Sequence, residues 1–330
     1  MRSGSPQRLV FTLAFFVSAA AVLPLQAAAQ NYPNRAITLT VPLAAGGGMD
    51  FIARTIGQKL SERIHQPVLV ENRPGGGTIV ATVALKNAAP DGYSLLLVPS
   101  PTITTNVALY KTLPYDARND FAPVALTSEV AFALVVNPSM PVKSVTELVE
   151  YAKNRPGELI MGSSGVGTMT HLAGELLMSR TGIKLRHAPY RGSPPALNDV
   201  IAGHIHMFFA DPVTAGQLTK AGKVRALGVT SKTKLNVFDA PPIADAGLPG
   251  YQATSWHMVI APGRTPQPVV DKIAAEIRAV SALPEIKERI AKIGLTPLQS
   301  PPPAQLKTYL ESEIETWGKF MKQIGIAGTL

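Results

Sequence analysis

The chain has no cysteine among its 330 residues. That excludes disulfides, cysteine-ligated zinc, a thiol nucleophile and a lipid-modified bacterial N-terminus. Aromatic residues are sparse at 6%, and charged residues reach only 16%. Beyond the N-terminus no run approaches the roughly 18 uninterrupted apolar residues of a membrane-spanning helix. Hydrophobic residues nevertheless make up 46%, a globular composition, and the length suits one or two domains.

The first 29 residues read as a secretory signal peptide. Arg2 and Arg8 form a positive start, Leu9 to Leu23 carries no charge, and Ala27 to Ala29 offers the small residues that a signal peptidase reads. Cleavage after Ala29 is expected, which marks an exported protein. Loss of Arg2 and Arg8, with no acid in the same stretch, takes the net charge from +9 to +7. The positive charges are scattered, with no basic run interleaved with aromatics, so nucleic acid is not an expected partner.

The rest alternates short apolar runs with helical patterns. Strands are predicted at Ile37 to Leu43, Val68 to Glu71, Leu95 to Val98, Ala133 to Val136, Leu159 to Gly162, Ile205 to Ala210, Val224 to Val229 and Met258 to Ala261. Helices are predicted from Asp50 through Ile64, Ser144 through Lys153, Thr168 to Arg180, Pro195 to Ala202 and Val213 to Ala221. Ser144 and Glu147 have the spacing of a capping box. Such alternation implies an α/β fold with parallel sheet and helices on both faces. After Pro262 the pattern is wholly helical. It carries one stripe of Val269, Ile273, Ile277 and Val280 and another of Leu306, Leu310, Ile314 and Trp317.

Twice a strand runs into a glycine-rich loop and then a helix, first over Val41 to Asp50 and again over Met161 to His171. Glycines let backbone N–H groups converge, and a helix N-terminus adds about half a positive charge. Each loop is thus a candidate anion cradle built without lysine. Neither has the P-loop lysine or the dinucleotide glycine spacing. A nucleophile elbow would need glycine at 166 for Ser164 or at 161 for Ser163, but Val166 and Met161 stand there. The plainer reading is that the glycines only allow close strand-to-helix packing.

Other polar residues each have two readings. Asp50 is an N-cap or a ligand contact. Asp211 caps the helix that follows it or borders a cleft. His171 and Glu175 share a helix face, a pairing more ordinary than a metal site, and His204 and His206 are expected on one face of a strand. Tyr190 to Gly192 places Arg191 at a rim or in a pocket. No cofactor or metal is expected.

A series of motifs in order then points to a family. They are Tyr32-Pro33, Val41-Pro42, Ala44 to Gly47 with Asp50, Glu71 to Gly75, Pro90 to Tyr93, Leu113 to Asp116 and Asp120 to Val124. Ser163 to Gly167, His171-Leu172, Pro189 to Gly192, Gly222 to Ala226, Gly247 to Tyr251 with Trp256, and Ala261 to Pro266 complete the series. The chain resembles the Bug family of periplasmic solute receptors, which serve tripartite tricarboxylate transporters. The resemblance implies a type II periplasmic-binding-protein fold, with two α/β domains around a ligand cleft joined by two crossing strands. On that basis domain 1 is residues 30–130 plus 255–330 and domain 2 is residues 131–254.

It also implies a non-enzymatic receptor, expected as a monomer. The ligand is a small organic acid, and the partners are the membrane subunits of a transporter. The expected ligand residues are Leu43, Ala44, Ala45, Gly46, Gly47, Gly48 and Asp50 in one loop. Ser163, Ser164, Gly165, Val166, Gly167, Thr168 and His171 supply the other, with Ser100 and Asp211. Family members often have phenylalanine where Leu43 stands and alanine where Gly76 stands. A sensor docking on a signalling kinase and, more remotely, a hydrolase using Ser163 or Ser164 are the competing readings.

Overall fold

The structure is a computed structural model and describes residues 32–323 and 325–330. The expected signal peptide lies outside the described residues. Among those described, no helix is long and apolar enough to cross a membrane.

The chain starts with β1 (Ile37–Val41), whose alternate residues are buried. The strand stops two residues short of the expected Leu43 because Pro42 has no N–H to donate to the ladder. Helix α1 (Gly48–Ile64) buries Ile52, Ile56 and Leu60 on one face. Next come β2 (Val68–Asn72), a 3₁₀ turn (Gly76–Thr78), α2 (Ile79–Lys86) and β3 (Ser94–Pro99). Two single-turn helices, α3 (Ser100–Ile103) and α4 (Asn106–Leu109), lead to β4 (Phe121–Ala131). No strand was expected at β4, because Thr127, Ser128 and Glu129 interrupt its apolar run.

A second group of elements follows. It comprises β5 (Ala133–Val136), α5 (Val145–Lys153), β6 (Ile160–Ser163), α6 (Met169–Thr181), β7 (Arg186–Pro189), α7 (Ser193–Ala202), β8 (Met207–Ala210), α8 (Pro212–Lys220) and β9 (Arg225–Val229). Ser144 caps α5 by accepting from the Glu147 N–H at 3.1 Å, while the Glu147 carboxylate accepts from the Lys143 N–H at 2.7 Å. His204 and His206 precede β8 instead of lying on it. Each is held by a local contact: His206 Nδ1 accepts from the Ile160 N–H, and His204 Nδ1 meets Asp199.

The chain returns along β10 (Thr254–Pro262) and ends in α9 (Gln267–Ala282), α10 (Pro284–Lys292), a two-residue strand β11 (Thr296–Pro297) and α11 (Pro303–Gln323). The tail is therefore not wholly helical. Both apolar stripes do pack inward: Ile273, Ile277, Val280, Leu306, Leu310 and Ile314 are buried. Helices α9 and α11 lie against β4, and Arg63–Glu276 and Lys59–Glu285 ion pairs join α1 to α9 and α10.

Two sheets result, ordered β11-β4-β10-β3-β1-β2 and β7-β6-β8-β5-β9. Both are mixed, which corrects the expectation of parallel sheets. Strand β1 is parallel to β2 and β3, and β6 to β7 and β8. Strand β10, however, runs antiparallel to β3 and β4, and β5 antiparallel to β8 and β9. The cause is the path of the chain. It leaves the first sheet along β4, turns through Phe132 into β5 of the second, and comes back along β10, and two such passes cannot both run parallel to their neighbours.

Candidate functional site

Between the two sheets lies an inner cavity of about 50 Å³, room for roughly three or four waters. Leu43, Ala44, Gly47, Gly48 and Asp50 line it from the first loop, and Ser164 and Thr168 from the second. Asp211, Met49, Pro99, Val130, Phe132, Met169, Thr170, Ser193, Ser255 and His257 complete the wall. Four of the longer helices begin here: α1, α6, α7 and α8. No lysine or arginine is among the lining residues.

Acidic side chains already occupy two of those four helix starts. Asp211 caps α8, its Oδ1 accepting from the Thr214 N–H at 3.1 Å and its Oδ2 from the Thr214 hydroxyl at 3.0 Å. It therefore both caps a helix and borders the cavity. Asp50 is not the N-cap of α1. That position is Gly47, which has no side chain to cap with, and Asp50 sits one turn inside. From there its carboxylate accepts from the Gly46 N–H at 3.0 Å and pairs with Arg54. Burial pushes its pKa up, but the bonds from Arg54 and Gly46 outweigh this and hold it below the usual carboxylate range. The starts of α6 and α7 present only hydroxyls, those of Ser164, Thr168, Thr170 and Ser193. An anion entering the cavity therefore meets its best-matched donors on the second-sheet side.

The second loop is held in shape by its own side chains. Thr168 donates to the Gly165 carbonyl at 2.7 Å, and Thr170 Oγ1 accepts from the Ser164 N–H at 2.8 Å. Ser163 is fully buried and lines neither the inner nor the outer cavity. Its hydroxyl shares a 2.6 Å hydrogen bond with His187 Nε2 and accepts from the Gly165 N–H. His171 stacks on His187 at 4.1 Å, accepts from the Gly167 N–H and faces Glu175. Ser163 and His187 are two parts of a hydrolase triad without the third, since Glu175 pairs with His171 and the serine lies beneath the loop. Ser100 likewise does not line the cavity; its hydroxyl bonds that of Ser255, which takes the lining position.

Several expected residues belong to the contact between the two halves of the molecule. The Ala44 N–H donates to the Arg191 carbonyl at 2.9 Å. A Cβ on Gly77 would stand 1.8 Å from the Val166 carbonyl oxygen, and one on Gly167 would stand 2.6 Å from Asn106 Oδ1. These contacts hold the two halves against each other. Ala45 and Gly46 form the turn before α1, outside the cavity wall. Gly165 and Val166 line an adjoining outer cavity of about 390 Å³ with Gly75 to Ile79, Tyr110 and Arg191. Leu43 and Ser164 line both spaces.

Sequence reasoning missed the apolar lining residues Pro99, Val130 and Phe132 and the polar ones Ser193, Ser255 and His257. Ser193 had a signal, since it opens a helix directly after a strand and Gly192. Ser255 and His257 had none. They reach the wall from β10, whose pairing with β4 shifts register between His257 and Met258, and such a bulge re-aims side chains.

His257 and His187 give the site a pH dependence. Burial pushes the His257 pKa down to about 4, and burial with the nearby His171 does the same for His187. The unfolded chain takes up these protons near 6.5. Their contribution to stability is thus complete above that pH and is lost as pH falls towards 4. Denaturant midpoints are expected to drop between pH 7 and pH 5, and His257→Gln should remove about one proton's worth of that slope. A slope unchanged by the substitution would contradict the assignment.

Over residues 52–326 the chain matches the family model for the tripartite tricarboxylate transporter family receptor. The chain belongs to this receptor family. A UPF0065 protein from the tcbD-tcbE intergenic region of Pseudomonas sp. strain P51 is 38% identical over 292 residues, 88% of this chain and 86% of that protein. The receptor fold is that of the periplasmic binding protein BugD, with a TM-score of 0.85 and 31% identity over 90% of this chain and 99% of that one. An R. palustris protein solved with adipate has the same TM-score of 0.85 at 35% identity, again over 90% and 99% of the two chains. The chain is thus a member of the Bug group of two-domain solute receptors.

Proposed function

We propose that this protein is a periplasmic receptor that captures a small carboxylate between its two lobes and presents it to the membrane subunits of a tripartite tricarboxylate transporter. The lobes are residues 30–130 with 255–330, and residues 131–254. One observation carries the reading: two helix starts free of acidic caps, those of α6 and α7, open at an inner cavity that no lysine or arginine lines. An anion there is held by backbone N–H groups and hydroxyls, and each such bond to a charged group contributes about 1.5–3 kcal/mol.

The inner cavity admits a carboxylate head and little more. The remainder of a diacid, such as the adipate held by the R. palustris relative, runs past Leu43 and Ser164 into the outer cavity, where Arg191 waits. The ligand bridges the lobes and so favours the closed clamp by the difference in its affinity for the closed and open forms. The transporter reads that closed form. The protein itself performs no chemistry on its ligand.

A thermal-shift screen with di- and tricarboxylates, followed by calorimetric titration, tests this. A ligand at 100 times its Kd should add about 2.7 kcal/mol of stability. Failure of every carboxylate to bind the folded protein would reject the reading.

A further inference from the structure

Beside the acid cavity lies a third space of about 230 Å³. One wall is the face of α6 bearing Met169, Leu172 and Leu176, and the opposite wall is the end of α11 with Trp317 and Phe320. Leu172, Leu176 and Met321 are buried there, whereas Trp317 and Phe320 are only partly covered and meet edge to face at 5.7 Å. The two walls come from different lobes.

Met169 lines this space and the inner cavity alike. It is the first residue of α6, so it belongs to the helix start where the carboxylate is held and at the same time borders the groove. The end of the second domain and the crossing strand border both spaces as well, Ala253 lining the groove and Ser255 the cavity. Methionine, unbranched and with three rotatable bonds, moves aside at low cost.

We infer that the groove is an apolar subsite of the same receptor, taking the hydrocarbon or aryl tail of a monocarboxylic acid whose head sits in the inner cavity. The inference rests on the carboxylate reading above and extends the ligand class from diacids to acids with an apolar tail. The dimensions agree. Met169 and Leu176 are two turns apart on α6, about 10 Å, which is the span of a saturated chain of about eight carbons. The chemistry differs from that of the outer cavity, where Arg191 and open backbone groups suit a second polar end. A ligand's far end thus selects its route: outward past Ser164 if polar, along α6 past Met169 if apolar.

Calorimetric titration of the whole mature protein with butanoate and octanoate tests the groove. Complete burial of a methylene raises affinity about fourfold, so four added methylenes, even partly covered, should tighten binding by about 20-fold or more. Octanoate, and not butanoate, should shift Trp317 emission to the blue, and a Trp317→Phe variant should lose that shift. Phe320→Gln changes a partly exposed groove residue outside the acid cavity. It should leave butanoate binding unchanged and bring octanoate to within about threefold of it. Equal affinities for the two acids in the wild type would overturn the subsite, as would a chain-length gain that survives Phe320→Gln. Binding of diacids without binding of either monoacid would also overturn it while leaving the receptor reading intact. Binding of no acid at all would fail the receptor reading itself.

Discussion

A Gly77→Ala variant should fold, stay open and lose its ligand. In the closed clamp a Cβ at this position would stand 1.8 Å from the carbonyl oxygen of Val166 and 3.0 Å from its carbonyl carbon. Both are backbone atoms of the opposite lobe, so no rotamer change relieves the clash. Either the 3₁₀ turn at Gly76–Thr78 or the second glycine loop must retreat, and the second loop is braced by Thr168, Thr170 and the Ser163–His187 bond. The open form feels only the left-handed backbone, with φ at 60°, which costs alanine about 1–2 kcal/mol.

Affinity for any carboxylate ligand should fall by about 100-fold or more, because binding would have to occur without closure. The radius of gyration from small-angle scattering should no longer contract when ligand is added. Gly76→Ala is the matched control. It shares the positive φ, but its Cβ meets only Ile79 and Val80 of its own lobe, at 3.5 and 3.8 Å. It should bind within about threefold of wild type, because the αL cost falls on open and closed forms alike. Equal affinity of Gly77→Ala and wild type would show that the two lobes do not meet in this way when ligand is held.

Gly77 also marks where sequence reasoning stopped. Both glycine loops were legible, because strand, glycine run and helix follow one another in the chain and each step leaves a local pattern. So were the faces of α1, α9 and α11, whose apolar residues recur at the helical period. Contacts made only when distant segments meet left no such trace. Nothing near Gly77 announces Val166, and nothing near Ser163 announces His187, since the parallel pairing of β6 with β7 brings them together. Ser163 illustrates the consequence. Its residue type and its place in a glycine loop recommend it as a ligand donor, yet register turns it inward, where it fixes the loop that others use. Ser100 and Ser255 exchange roles for the same reason. The crossing strand β4 was illegible from the opposite cause: its polar residues Thr127 and Ser128 are satisfied by β10 far along the chain, so it lacks the continuous apolar run of a buried strand. Thr127, for example, donates to the His257 carbonyl, and Ser128 shares a 3.0 Å bond with the His257 ring.

Filling the inner cavity should abolish binding without preventing closure, and Gly47→Val is the substitution that separates the two. Gly47 lines the cavity, and its φ of −86° and ψ of 174° are extended values open to any residue. A Cβ there meets nothing nearer than the Ala44 carbonyl oxygen at 3.8 Å. Valine is thus admitted without strain, and the loss of a glycine N-cap, which never made a side-chain bond, costs at most about 1 kcal/mol. The two added methyl groups stand at the wall of a space of about 50 Å³, too small for them and a carboxylate together. Every acid, short or long, mono- or dibasic, should lose measurable binding, whereas Phe320→Gln affects only those with apolar tails. Gly165→Val is a poorer test, because φ at 137° and a Cβ 3.1 Å from the Gly77 Cα would disturb the backbone as well as the site. Chemical denaturation of Gly47→Val should stay within about 1 kcal/mol of wild type, which excludes misfolding as the cause of lost binding. Undiminished affinity in a folded Gly47→Val protein would mean that the anion is held somewhere other than in the inner cavity.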